Sequence, residues 1–434
     1  MKTQFEVARK YVLDRLENGT FSAGMRLPGS CKLSKELNIS APIVKNAMNV
    51  LVNEGILKAE PRSGLYVKEN WKYRQVQGTI RIFLPENKLL WTNMFKTEMN
   101  RQLPQLHFTT VFRECPFEII TTPMAQSRHE DFIDLMPLLK ENYPDMGPFY
   151  SELLKPFIYK GKLTALPFLF SPRIIMCNRK MLAEANCPEP KSDWTLDDLM
   201  KLAARLRKYF PAEKVFWWKN NRAFWMNFIL ACGGQLYDPE SEDPVKFDSP
   251  EVLKGLKYYR KLRFGEKITV PAFCGESAIA IIDRQIYGLI RGQQEKDWLF
   301  LPMPGDTQER TGISIQATEL FAIRHNGVDH DLGGAIIRFL WSKKFQDHLA
   351  ELCCGIPIRK SSAQKIFTKK IPAEIVFEKA CRQICSSYQL YNPALQSLIT
   401  NGIIDLLDGD EDLERGIKDL AYVVRRYIEY MRIR

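Results

Sequence analysis

The sequence predicts a multidomain protein, a small α+β unit followed by a large α/β unit. Three observations carry this. The chain has 434 residues, more than one ordinary core supports. Residues 24–67 hold two short apolar helical patterns a turn apart, then two short strand-like runs. From residue 79 the order strand, helix, strand argues a parallel α/β sheet.

The first element, residues 1–18, is a charged amphipathic helix with Phe5, Ala8, Val12, Leu13 and Leu16 on one face. It is no secretory leader. Leu33 and Leu37, four residues apart, give a second helix. Asn38-Ile39-Ser40 is a turn ending in a serine suited to N-cap a third. Pro42 falls in that helix's first turn, where a missing N–H costs nothing. Val44, Ala47, Met48 and Leu51 follow at i, i+3, i+4 and i+7, and Gly55 stands where a helix closes on a left-handed residue. This is helix-turn-helix spacing. Residues 56–59 and 65–67 read as strands around Pro-Arg-Ser-Gly, a hairpin wing.

The apolar residues assign one face of the third helix to the core, so Lys45, Asn46 and Asn49 face away from it, with Ala41 at its start. An amide can bond an adenine edge at two points, and a lysine reaches guanine or phosphate. A solvated polar face would show the same residues. Net charge is +11; residues 1–72 carry 12 Lys/Arg against 7 Asp/Glu, the remainder 50 against 44. Basic charge is therefore denser at the N-terminus, where a phosphate backbone would be met.

Residues 3–67 resemble the winged-helix DNA-binding domain of GntR-type bacterial regulators. The likeness rests on Gly24, Leu27-Pro28, Leu33, Leu37, Ile39-Ser40, Val44-Lys45, Ala47, Leu51, Glu54-Gly55 and Gly64-Leu65-Tyr66-Val67. It implies operator DNA as a partner, with contacts expected at Arg26, Lys32, Ser40, Ala41, Lys45, Asn46, Asn49, Arg62 and Gly64. One such head covers a half-site, so a homodimer on DNA is expected. Cys31 and Ala41 depart from the family, which usually has DNA-touching arginines there, and Gly29 replaces a usual serine. These departures bear on the strength and sequence preference of DNA contact more than on fold. The expected boundaries are a head at 1–70, a linker at 71–78 and the large unit at 79–434.

In the large unit, residues 79–84 are a strand, 89–103 a helix, 107–113 and 118–121 strands, and 131–150 short helices and loop. Residues 159–177 give two extended runs broken at Ser171-Pro172. Thr195 caps a helix with acidic residues in its first turn. Residues 223–232 are helical up to Gly233-Gly234, and Ser249-Pro250-Glu251 opens another helix. Residues 276–287, 299–302 and 320–324 are strand-like, and helices follow at 332–350 and 410–430.

The large unit resembles the bacterial solute-binding proteins that deliver sugars to ABC transporters. The points of contact are the run from Tyr159 to Leu166-Pro167-Phe168, Cys177-Asn178-Arg179 with its helix, and Trp194-Thr195. Further on they are Phe273, Gly275 and Ala278-Ile279, then Leu301 to Gly305 and Gly355 to Ser361. The resemblance implies a two-lobed α/β periplasmic-binding-protein-like fold of type II, with a hinge and a ligand cleft. Sugars are held by aromatic faces and by planar polar groups on their hydroxyls. Candidate ligand residues are Trp91, Phe168, Phe170, Arg173, Trp225, Tyr287, Trp298 and Gln316. Core packing explains aromatic residues equally well, and for Trp194 and Trp341 it is the expectation.

The reading that follows is a sugar-responsive, one-component transcriptional regulator, located with DNA in the cytoplasm. The alternative is a regulator carrying an enzyme-like domain. An aminotransferase-like domain lacks a matching cofactor-lysine segment here. A glycan-acting enzyme needs a carboxylate pair that Asp131, Asp134, Glu276 and Asp283 do not identify by sequence. A ligand-free, vestigial cleft is a third possibility. Ten scattered cysteines without zinc spacing read as buried thiols, so no metal and no cofactor are expected. No run is long enough to span a membrane.

Overall fold

A computed structural model of the chain describes residues 4–53, 55–69, 71, 79–82, 90–102, 107–109, 115–217, 224–263, 276–292, 295–315, 317–325, 330–385 and 392–433. The chain divides into two compact units. One comprises Met1–Asn87, Thr92–Glu118 and Ile323–Phe339; the other comprises Lys88–Trp91, Ile119–Ala322 and Leu340–Arg434.

In the first unit the head is built from helices α1 (Gln4–Glu17), α2 (Ser30–Leu37) and α3 (Ala41–Asn53) and strands β1 (Leu57–Glu60) and β2 (Gly64–Val67). Its core is Ala8, Val12 and Leu16 from α1, Leu33 from α2, and Val44, Ala47, Met48 and Leu51 from α3, closed by Ile56 and Val67. The α2–α3 turn forms because Asn38 adopts the left-handed conformation at φ 53° while its N–H returns to the Ser34 carbonyl. Gly55, at φ 70°, closes α3 in the same way. The strands pair antiparallel, Leu57 opposite Val67 and Glu60 opposite Gly64. Trp71, expected in the linker, is buried in the head's core; the rest of the expected linker, 72–78, lies outside the described residues. The same unit holds Thr79–Ile82 paired in parallel with His107–Thr109, as strand-helix-strand order predicts. Phe95 packs edge-on to Phe108 at 5.6 Å.

Beside the two-stranded pairs of Ile158–Tyr159 with Lys162–Leu163 and Ser314–Ile315 with Ile384–Cys385, the second unit holds strands of two larger sheets. In one, Leu166–Ser171 runs antiparallel to both Ala317–Ile323 and Ile356–Pro357. The other has four strands in the order Phe216–Trp217, Ile279–Ile282, Ile174–Asn178, Trp298–Pro302. Only its first pair is parallel; Ile174–Asn178 is antiparallel to both neighbours. The parallel pairing expected from the sequence holds in the first unit's pair and, in the second unit, between Phe216–Trp217 and Ile279–Ile282 and between Ser314–Ile315 and Ile384–Cys385, while the other strands named here pair antiparallel. Alternate residues of a strand face opposite sides. Accordingly Ile175, Cys177, Ile279 and Ile281 enter one core, and Ile174, Met176, Ala280 and Ile282 enter another. A sheet buried on both faces needs continuous apolar runs, which Ile174-Ile175-Met176-Cys177 and Ile279-Ala280-Ile281-Ile282 supply.

Three sequence expectations change here. Residues 332–350 are two helices, His330–Trp341 and Lys343–Leu352. Ser342 is extended and its side chain accepts from the Phe345 N–H, so the serine restarts the helix. Residues 276–287 are a strand only at Ile279–Ile282; Asp283 then caps the helix Arg284–Ile290 through the Ile286 N–H, which moves Tyr287 onto a helix. Before the final helix, Leu413–Ile433, a further one runs Pro393–Asp408, capped by the Asn392 side chain. The Thr195 cap forms as read, with a reciprocal Asp198 bond to the Thr195 N–H. No helix among the described residues is long and apolar enough to cross a membrane.

Candidate functional site

The head presents one polar surface. On α3, Val44, Ala47, Met48 and Leu51 are buried while Lys45, Asn46 and Asn49 are exposed, and Ser40 is exposed at its start. Ala41 is half-buried. The segment before α2 adds a third edge to the wing: the Leu27 N–H bonds the Leu65 carbonyl at 2.8 Å and the Val67 N–H bonds that of Met25 at 2.9 Å. This sets Arg26 beside Gly64, where a Cβ would stand 3.1 Å from the Arg26 Nε. Gly64 is at φ 122°, so the wing needs glycine there for its conformation. Arg62 is exposed at the wing's turn with φ 62°. Lys32 and Cys31 are exposed on α2. Basic and amide side chains thus stand on α3, α2 and the wing.

In the second unit the chain passes from one sheet to the other twice. One crossing is Ser171-Pro172-Arg173; the other runs from Trp298–Pro302 by way of Ser314–Ile315, which pairs with Ile384–Cys385, to Ala317–Ile323. They are tied together. The Arg173 N–H donates to the Ser314 Oγ at 2.6 Å, the Arg284 N–H donates to the Ser171 Oγ at 2.9 Å, and the Ile315 N–H donates to the Asn227 Oδ1 at 3.4 Å. The Arg173 guanidinium lies 4.6 Å from the centre of the Phe224 ring. Phe170 pairs in register with Thr318 and meets the Tyr150 ring edge-on at 5.6 Å. Among the described residues the buried Trp225 indole N–H and Thr318 hydroxyl have no hydrogen-bond partner. Such groups are costly unless something completes them. Glu319, beside Thr318, accepts from the Gln285 Nε2 at 3.2 Å; burial pushes its carboxyl up to about 7. The crossings therefore combine aromatic faces, a cation and donors without partners.

The expected ligand residues divide. Phe170 and Arg173 lie at the crossings and both are buried, Phe170 within the core that holds Ile174 and Ile356. Trp225 is 1% exposed within the core around Leu199, Phe228 and Leu256, so its ring face is covered and only its N–H remains to satisfy. Phe168 is fully buried in its strand, and Tyr287 is packed between Phe300 and Phe377. Both are core residues rather than open cleft walls, Phe168 on its strand and Tyr287 on its helix. Trp298 is half-buried at the start of its strand. Gln316 and the Trp91 side chain lie outside the described residues. Trp194 and Trp341 are core residues, as expected. Tyr150, Phe224, Asn227, Thr318 and Glu319 were not anticipated. A Thr-Glu pair inside the apolar run Ala317–Ile323, and an asparagine inside the apolar helix Trp225–Ala231, were the available signals.

Most described cysteines are buried. Burial pushes the thiols of Cys177, Cys232 and Cys354 up to about 12, which makes them inert rather than reactive.

Residues 5–67 match the family model of bacterial regulatory proteins, gntR family, and residues 114–273 that of bacterial extracellular solute-binding proteins. No curated protein matches the chain. Among solved structures it is similar to an ABC substrate-binding protein from Listeria monocytogenes in complex with cycloalternan. That likeness has 13% identity and a TM-score of 0.68, covering 81% of this chain and 98% of that one. It is similar to maltose-bound MalE3 of T. maritima at 16% identity and TM-score 0.66, covering 80% and 99%. UgpB from Mycobacterium tuberculosis, in complex with glycerophosphocholine, gives 13% identity and TM-score 0.66, covering 82% and 100%. These likenesses show the fold: a winged-helix head followed by a periplasmic-binding-protein-like domain.

Proposed function

For a chain that joins a gntR-family DNA-binding domain to a bacterial solute-binding-protein domain, we propose a transcriptional regulator whose operator affinity is set by a small solute bound at the sheet crossings. Neither domain type is enzymatic. The observation that carries the reading is the presence of both in one polypeptide. A DNA reader alone does not need a solute-binding fold. The exposed face of α3, with Lys45, Asn46 and Asn49, reads base edges, and Arg26, Lys32 and Arg62 meet phosphates. Two chains bind a two-fold operator, in the compartment where DNA is.

The solute is uncharged or zwitterionic and rich in hydroxyls. The half-buried Tyr150 ring suits C–H surfaces, with Phe170 packed edge-on behind it, and the Trp225 N–H and Thr318 hydroxyl would complete their bonding on ligand oxygens. The similar structures were solved with an oligosaccharide, a disaccharide and glycerophosphocholine, a set consistent with that class.

A thermal-shift screen of sugars, sugar alcohols and glycerophosphodiesters identifies the ligand, because binding to the folded state raises the melting temperature. Operator titrations with and without the hit then test the reading. A displaced curve is expected; coincident curves at saturating ligand would reject the regulator.

A further inference from the structure

We propose that the outer face of the C-terminal helix is a self-complementary interface that pairs two copies of this chain antiparallel about a two-fold axis. The helix Leu413–Ile433 is amphipathic, and Leu413, Ile417, Ala421 and Val424 are buried on its inner face. It is firmly held. Arg425 bonds Asp243 and Asp248, and Glu414 pairs with Lys257 at 3.2 Å. The opposite face carries Asp419, Tyr422, Val423, Arg426 and Tyr430 at i, i+3, i+4, i+7 and i+11, one stripe of a helix. Tyr422 is 64% exposed, Val423 50% and Tyr430 51%. Large apolar groups on either side of Arg426, along one stripe of a well-anchored helix, mark a docking surface rather than scattered exposure.

The charges on the row select the occupant. If two copies ran parallel and in register, Arg426 would face Arg426 and Asp419 would face Asp419. With the helices antiparallel and the axis between Arg426 and Tyr427, Val423 of each copy meets Tyr430 of the other. Arg426 of each then comes within half a turn of the other's Glu429. Arg426 and Glu429 already attract one another within the helix at 2.6 Å, and both are more than half exposed, so they can exchange partners across the axis. The stripe therefore complements a reversed copy of itself. Its length is modest against the roughly 1,200 Å² of the smaller stable interfaces, so association is expected to depend on protein concentration.

This deepens the two-fold reading above by naming its surface, and the test is run without DNA or ligand so that the two fail separately. Sedimentation of the full chain over a concentration series should show a monomer–dimer equilibrium. Arg426→Glu and Glu429→Arg should each shift it to monomer with the circular dichroism of the wild type. An equimolar mixture of the two variants should recover the dimer, since each then supplies the charge the other lacks. Val423→Lys should give monomer alone and in either mixture. A wild-type chain that stays monomeric throughout, or a dimer unchanged by all three substitutions, or a mixture that stays monomeric, overturns the proposal.

Discussion

Thr318 and Glu319 are neighbours on one buried strand, and each affects stability through a polar group the strand encloses. The Thr318 hydroxyl is buried without a partner among the described residues, so it costs stability in the ligand-free chain. Thr318→Val keeps the β-branched shape and removes that group. It is expected to raise the melting temperature while weakening the ligand found by thermal shift; a fall in both would make the hydroxyl structural. The Glu319 carboxyl is raised from 4.5 to about 7 by burial. Between those values the folded chain holds a proton that the unfolded chain has released. This contribution is therefore fully present below about 4.5 and is lost as pH rises through about 7. Glu319→Gln removes the dependence. Denaturant unfolding at a series of pH values should show wild type losing ground to the variant across that window and holding a constant deficit above it.

Among the elements, the helix Arg284–Ile290 is locked by its first residue. The Arg284 side chain is almost wholly buried, pairs with Glu374 at 2.8 Å, and donates to the Ala350 and Gly355 carbonyls. Its backbone N–H meets Ser171 at the first crossing, so this one residue joins a helix, a turn and the crossing. Breaking a buried pair on one side leaves an uncompensated charge. Glu374→Gln is expected to cost about 3 kcal/mol, read as a drop in the denaturation midpoint. In the head, α3 is the element at stake. Its apolar face is buried, so Lys45→Ala and Asn46→Ala alter only the exposed side. Each should weaken operator binding by about 1–3 kcal/mol with unchanged melting. Unchanged affinity in both, measured by titration, would take α3 out of the groove.

At the scale of the whole molecule, linkage makes the proposed coupling reciprocal: if the solute changes operator affinity by some factor, operator DNA changes solute affinity by the same factor. Calorimetric titration of the solute into chain alone and into chain bound to DNA should show that factor, with a coupling of about 1–3 kcal/mol. Equal solute affinities would disconnect the two domains. The head was legible in the sequence because its determinants are local. The apolar spacing of Val44, Ala47, Met48 and Leu51 settles which side of α3 is exposed, and Gly55 and Gly64 mark where the chain must turn. The two domain types, through their short motifs, and the break between strands at Ser171-Pro172 were legible for the same reason, though not that the chain changes sheets there. The fate of each aromatic residue was not. Phe168 and Phe170 lie on one strand and Tyr287 on a short helix. Whether such a ring packs in a core or borders a cleft depends on which distant elements cover it. The pair Thr318-Glu319, Asn227 and Tyr150 are separated from one another by long stretches of chain, and neither their convergence nor the lack of partners for two buried donors has a local signature. By itself the sequence determined the elements that short-range periodicity and turn chemistry specify. Tertiary structure alone decided burial, because burial is set by what packs on a residue and not by the residue itself.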